Sequence, residues 1–95
     1  MIKIEFTDDA KDYIHKKNVN SITVDIMSIY YGGQYNEPVV PIGKPTLPQN
    51  YDLVDVNGIK VYIFKGAETE RDGIKISIEG DQRLHVEGLV YDKLG

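Results

Sequence analysis

The chain opens with alternating apolar and polar residues over positions 2–6, which is the pattern of a half-buried β-strand. Thr7 follows, just before two aspartates. This order is typical of a helix start, because the threonine hydroxyl accepts from a free amide and the carboxylates stabilise the helix dipole. Apolar residues then recur at helical spacing, at Ala10 and Ile14. We therefore predict a strand and then a short amphipathic helix that ends near Asn18.

The strongest local signal is the Asn57-Gly58 pair between two runs of β-forming residues, 51–56 and 59–64. A type I′ hairpin turn requires positive φ at both central residues, and asparagine and glycine tolerate it best. Pairing outward from this turn places Asp55 opposite Lys60 as complementary charges. Both faces of the pair are otherwise largely apolar, so we predict two central strands that are covered on both sides.

Three further segments alternate in the same way and are predicted strands: 21–29, 74–79 and 84–87. A turn at Gly80-Asp81 separates the last two. The segment 36–50 contains four prolines, which remove too many amide donors for a central strand. We predict an extended connection there, with an edge strand around Val39-Val40. Residues 66–73 are polar and favour at most a helical turn.

These elements predict one α+β domain over residues 1–95, β-rich with one helix in its N-terminal region and a central hairpin. Hydrophobic residues at 41% and charged residues at 27% are typical of a globular protein. The net charge of −4 disfavours binding to nucleic acid. No apolar run is long enough to span a membrane, and the first residues do not form a signal peptide. We expect a cytoplasmic protein without a nucleic-acid or membrane partner.

Three stretches of the chain resemble the HesB-like fold family, to which the A-type iron–sulfur carriers belong. Residues 4–14 are similar to the family's first strand and helix, residues 51–63 to its central hairpin, and residues 84–89 to a closing segment. The last is typical of a branch with paired cysteines, or cysteine and selenocysteine, immediately before a Gly-Gly loop. Gly32-Gly33 falls at the place of that loop. The resemblance implies a small β-rich HesB-like domain, an iron–sulfur biogenesis-related fold, over nearly the whole chain.

The thiols that this resemblance implies are absent, because the sequence contains no cysteine. Tyr30 and Tyr31 stand where the paired-cysteine branch has its adjacent thiols. A phenol cannot supply the soft thiolate that an iron–sulfur cluster or a redox thiol needs. We therefore expect a degenerate, cysteine-less relative that holds no cofactor, and exclude cluster assembly by the family's mechanism.

The candidate binding loop consists of Tyr30, Tyr31, Gly32, Gly33 and Tyr35. Tyrosines around a flexible glycine pair provide contact area at low entropic cost. The favoured hypothesis is a non-catalytic binding or interaction module whose loop contacts an unknown protein or small-molecule partner, with a homodimer as one arrangement. The plain alternative is that the tyrosines pack around the strand end while the glycines turn the chain.

Two other classes of function remain open. The first is a metal or iron–sulfur-related carrier with oxygen and nitrogen ligands from Tyr30, Tyr31 and His85. His15 and His85 are the only histidines, however, and nothing local brings them together. The second is an enzyme whose site assembles only in three dimensions. The sequence has neither a nucleophile elbow nor a phosphate loop, so we predict no enzyme, no catalytic residue and no metal ligand.

Overall fold

The protein is described by a computed structural model that covers residues 2–80 and 82–94 of the 95-residue chain. Within these residues the chain forms an α+β fold with one α-helix and nine mostly short strands. In chain order they are β1 (Ile4–Phe6), α1 (Asp8–Lys16), β2 (Ser21–Tyr30), β3 (Gln34–Val39), a 3₁₀ turn (Pro48–Asn50), β4 (Tyr51–Val56), β5 (Ile59–Phe64), β6 (Glu68–Thr69), β7 (Ile74–Ile78), β8 (Leu84–Glu87) and β9 (Leu89–Val90).

The strands form two larger sheets, in the orders β3-β2-β5-β4 and β1-β7-β8, and a small pair, β6-β9. Each larger sheet contains one parallel pairing, β2 with β5 and β1 with β7. Buried apolar side chains from β1, α1, β2, β5, β7 and β8 form the core. Its most deeply buried members are Ala10, Ile14, Ile22, Val61 and Ile76. No helix in residues 2–80 and 82–94 is long and apolar enough to cross a membrane.

The predicted helix is confirmed together with both of its ends. The Thr7 hydroxyl accepts a 3.4 Å hydrogen bond from the Ala10 amide and donates to the Asp9 carboxylate. At the other end, Asn18 has a φ of 56°, and its amide donates to the His15 carbonyl at 3.0 Å. A left-handed residue just past the helix is a common way to stop it, and asparagine tolerates that conformation.

Both the turn conformation and the strand register predicted for the Asn57-Gly58 hairpin are confirmed. These residues have φ values of 52° and 88°, and Asp55 pairs with Lys60 as predicted. The Asp55 carboxylate also accepts from the Gly58 amide at 3.0 Å, which stabilises the turn. The prediction that both strands are central is wrong for β4. Because β2 pairs with the other side of β5, β4 is left at the sheet edge, and Leu53 is 54% exposed.

The remaining strands agree with the sequence in part. The alternating segments form β2, β7 and β8, with Ile74 and Ile76 buried as predicted. The edge strand expected around Val39-Val40 instead begins at Gln34 and ends at Val39. Residues 66–73, for which the sequence favoured at most a helical turn, contain β6, which pairs with β9. The predicted turn at Gly80-Asp81 lies in part outside the described residues.

Candidate functional site

The hairpin of β2 and β3 extends beyond the rest of its sheet. β2 pairs with β5 only from Ser21 to Val24, whereas its pairing with β3 continues from Asp25 to Tyr30. Residues 25–39 therefore form a two-stranded extension, which we call the tyrosine arm. All five predicted loop residues lie toward its end: Tyr30 closes β2, residues 31–33 form the turn, and Tyr35 belongs to β3.

The turn at the tip of the arm depends on its two glycines. Gly32 and Gly33 have φ values of 68° and 144°, which residues with a side chain rarely adopt. The Tyr31 amide donates to the Gly33 carbonyl at 2.9 Å, so the tip is ordered by a main-chain hydrogen bond. The Gln34 side-chain amide donates to the Tyr30 hydroxyl at 3.2 Å, which ties the two strand ends together. The glycines thus bend the chain and leave the neighbouring tyrosines on the outside.

Tyr30 and Tyr31 project into solvent, with 74% and 85% of their surface exposed. The alternative in which both tyrosines pack around the strand end is therefore wrong. Tyr35 is less exposed, at 38%, and forms an isolated β-bridge with Leu94. The loop predicted from sequence is a protruding tip that offers two phenols on its surface.

Side chains alternate between the two faces of the arm along each strand. Met27 and Ile29 share one face, on which Met27 stands opposite Glu37 and Ile29 stands directly opposite Tyr35. On the other face the Ser28 hydroxyl donates to the Asn36 side-chain oxygen at 2.9 Å. The face that carries Met27 is partly open to solvent, with Met27 47% exposed.

Asp25 holds the base of the arm through both of its carboxylate oxygens. Oδ1 accepts from the Ile26 amide at 2.8 Å, and Oδ2 accepts from the Tyr51 hydroxyl at 2.6 Å. The hydrogen bond to Asp25, then burial, and then the negative charge of Asp25 raise the pKa of Tyr51 to about 12. The Tyr51 ring in turn lies 5.8 Å from that of Phe64, measured between centroids. The point at which the arm leaves the sheet is therefore fixed to β4 and β5.

The positions of Pro38 and Pro41 agree with the directions in which the main-chain amides of this segment point. The Thr23 amide donates to the Pro41 carbonyl, and the Asn36 amide donates outward to the Lys93 carbonyl at 2.8 Å. Alternation along β3 therefore points position 38 away from β2, so Pro38 removes no hydrogen bond from the hairpin. Position 41 faces β2, and β3 ends before Pro41 is reached. Four prolines do not exclude a strand when the one inside it faces outward.

A groove of about 690 Å³ opens beside the base of the arm. Its lining combines apolar residues such as Met27, Val39 and Leu84 with polar ones such as Glu37 and His85. Sequence analysis did not find this groove, because its lining comes from α1, β2, β3 and β8, which only the fold brings together. A second cavity, of about 320 Å³, lies next to the Asp25–Tyr51 pair.

The donor set that a metal carrier would need is not assembled. His85 Nε2 lies 3.6 Å from Glu79 Oε1 on the β7–β8 side of the molecule, while His15 is exposed at the end of α1. In the described part of the chain, no three side chains among His, Asp and Glu are grouped so that they could hold an ion. The phenols at the arm tip are hard oxygen donors, and they do not fit an iron–sulfur cluster.

A model of the CC/Se motif containing family matches residues 2–89. The matched range runs from before β1 to the first residue of β9 and includes the whole tyrosine arm. The chain contains no Cys-Cys pair, since it has no cysteine. No curated protein and no solved structure matches the chain.

Proposed function

The chain belongs to the CC/Se motif containing family, and we propose that it is a non-catalytic member that binds a protein partner through the tip of the tyrosine arm. The contact residues are Tyr30 and Tyr31, held outward by Gly32-Gly33. The observation that carries this proposal is the exposure of both phenols, at 74% and 85%, on an extension without a β5 partner.

Two adjacent exposed tyrosines are suited to protein recognition. Each provides a large, stiff aromatic surface with a hydroxyl that still forms a hydrogen bond, and tyrosine is enriched among residues that dominate binding energy. Neither side chain contributes to the core of this protein. Their apolar area therefore remains available to a partner, and burying it there would be favourable.

The absence of thiols supports contact rather than metal or redox chemistry at this tip. We propose that the scaffold is HesB-like, and that Tyr30 and Tyr31 occupy the place of the thiol pair in the related branch. Replacing two thiolates by two phenols removes the nucleophile and the soft ligand while it adds contact area. In this proposal the scaffold is the same as in the related branch, and the exposed tip has a different function.

The shape of the tip favours a protein over a small molecule. Small ligands bind in concave sites that enclose most of their surface. Neither of the two cavities described above includes Tyr30 or Tyr31 in its lining. A convex aromatic tip instead fits into a depression on the surface of another protein.

The test is affinity capture from a lysate of the source cells, with the wild-type chain and a Tyr30→Ala/Tyr31→Ala variant each immobilised. We expect the variant to fold as judged by circular dichroism, because both side chains are exposed, and to lose the captured proteins. Leu53→Ala is the matched control, since Leu53 is 54% exposed on β4, outside the arm. Capture of the same proteins by the double-alanine variant at undiminished levels would refute the proposal.

A further inference from the structure

We infer that the open edge of β2 in the tyrosine arm pairs with the same edge of a second copy of this chain. The pairing is antiparallel and centred on Ile29, so that two arms form one four-stranded sheet in the order β3-β2-β2-β3. This inference does not depend on capture of a heterologous partner, because it is argued from the unpaired main-chain groups along the edge of β2 and not from the exposure of the tip tyrosines.

The edge is open because β5 stops before the arm begins. Main-chain hydrogen bonds show which way each residue of β2 faces: the Thr23 amide points to the β3 side, and the Asn20 carbonyl accepts from Lys60 at the start of β5. By alternation, Ile26, Ser28 and Tyr30 direct their amides and carbonyls away from β3. Within residues 2–80 and 82–94, no strand pairs with β2 on that side beyond Val24.

The unpaired groups on this edge are centred on one residue. The Ile26 amide is already bonded to Asp25 Oδ1, which closes the edge at its base. The complete sets of outward groups are those of Ser28 and Tyr30, one on each side of Ile29. In an antiparallel pairing about Ile29, Ser28 faces the partner subunit's Tyr30 and Tyr30 faces the partner subunit's Ser28. Each of these pairs exchanges two N–H···O bonds.

The side chains agree with the same register. Ile29 faces the partner subunit's Ile29 in a close, non-hydrogen-bonded pair, and Met27 lies opposite the partner subunit's Tyr31. Both Met27 and Tyr31 are exposed in the single chain, at 47% and 85%. Residues 26–31 carry no charge, so antiparallel pairing brings no like charges together. The uncharged segment 26–31 can thus supply both strands of the pair, which favours a second copy over an unrelated strand.

The two outer edges of the same sheet are less suited to self-pairing. On β3, Pro38 has no amide to donate, and Asn36 already donates to the Lys93 carbonyl. On β4, Asp52 and Asp55 place negative charges along the edge, and such charges protect an edge from association. The arm edge of β2 has neither a proline nor a charge between Ile26 and Tyr30.

The first test uses a single cysteine in a chain that has none. In the inferred register the two Ile29 Cα atoms are about 4.5 Å apart, a separation that a disulfide can bridge. We expect Ile29→Cys to form a disulfide-linked dimer under mild oxidation. Tyr35→Cys is the matched control, because Tyr35 lies on β3 as the cross-strand partner of Ile29 and is one strand further from the two-fold axis. This variant should not form a disulfide-linked dimer.

The second test measures mass by sedimentation equilibrium over a concentration series, since a small interface is expected to be weak. The wild-type mass should rise toward twice the 10.7 kDa of one chain. Ser28→Pro removes an outward amide without breaking the β2–β3 ladder, as Pro38 does on β3, and should keep the mass at one chain.

A wild-type chain that stays monomeric throughout, with no cross-link at Ile29→Cys, overturns the inference. So does a dimer that forms equally with Ser28→Pro and does not cross-link at residue 29, because it must use another surface. Failure of partner capture by Tyr30 and Tyr31 leaves both of these measurements unaffected. The two proposals therefore succeed or fail separately.

Discussion

The Tyr51 hydroxyl donates a 2.6 Å hydrogen bond to Asp25 Oδ2 and so joins the first residue of β4 to the residue at which the tyrosine arm begins. The other oxygen of the same carboxylate accepts from the Ile26 amide. One side chain thus closes the open edge of β2 at its base and anchors the arm to the sheet. The free energy of this anchor depends on the protonation of Tyr51.

Replacing Tyr51 by phenylalanine should lower the free energy of unfolding at neutral pH by about 1 kcal/mol, the usual worth of one hydrogen bond. The pKa of Tyr51 is raised from 10.0 to about 12 in the folded protein, so folding favours the protonated phenol. Its contribution is complete below pH 10 and is lost as pH rises from 10 to about 12. The stability difference between wild type and Tyr51→Phe should shrink over that window.

Denaturant unfolding at several pH values measures this difference, and absorbance of tyrosinate measures the titration directly. Wild type should show a late ionisation near pH 12 that Tyr51→Phe lacks. Tyr30→Phe is the control, since it removes an exposed phenol and should keep the late step. A stability difference that stays constant from pH 8 to pH 12 would show that the hydrogen bond to Asp25 does not carry the effect.

Two glycines with the same φ angle should differ in their tolerance of a methyl group. Gly58 and Gly73 both have a φ of 88°, but a Cβ at Gly58 would meet open space, whereas one at Gly73 would collide with the Lys3 carbonyl oxygen. Gly58→Ala should therefore cost only the conformational strain, about 1 kcal/mol. Gly73→Ala should cost about 3 kcal/mol or more, because β1 must move.

Thermal and denaturant unfolding of the two variants measures these costs. Gly80→Ala is the reference, since Gly80 has no left-handed φ and no atom near its missing Cβ. It should be close to neutral. Equal losses for Gly58→Ala and Gly73→Ala would mean that the close approach of Lys3 does not restrict the position.

A Tyr30→Cys/Tyr31→Cys variant should convert the arm tip into a thiol pair. If the tip corresponds to the thiol site of the related branch, this variant should bind one equivalent of a soft divalent ion such as Cd²⁺. Tyr30→Cys alone is the control and should bind less tightly, because a single thiolate is a poorer site. Titration followed by the thiolate-to-metal absorbance measures both. A double variant that binds no ion would weaken the correspondence while leaving the fold unaffected.

Local chemistry explains which elements could be predicted from the sequence. The Thr7 cap, the Asn18 stop and the Asn57-Gly58 turn each depend on residues a few positions apart, and all three are present as expected. The position of β4 at the sheet edge was missed, because it depends on β2 taking the far side of β5. Leu53 and Val54 make β4 apolar on both faces, yet only one face is covered.

The candidate site was predicted in its residues but not in its form. The Tyr-Tyr-Gly-Gly order indicated a loop. The arm forms because the pairing of β2 with β3 continues beyond the last residue of β2 that pairs with β5. The Asp25–Tyr51 hydrogen bond was also missed, since it joins residues on strands that are not neighbours in the sheet. The spacing of Pro38 and Pro41 did contain a usable signal. Residues three positions apart direct their main-chain groups to opposite edges of a strand, so only one of the two prolines can face β2.

The parallel pairing of β1 with β7 sets the order in which this protein can complete its fold. Ile4 pairs with Ile74, so β1 is synthesised well before the strand with which it pairs. At about 5–20 residues per second, the ribosome needs several seconds to supply β7. Until then, Phe6 and the buried side of α1, with Ile14, lack the strand that covers them. The nascent chain therefore has a stage at which apolar surface is open to chaperones, and a fragment that ends before residue 74 cannot complete its core.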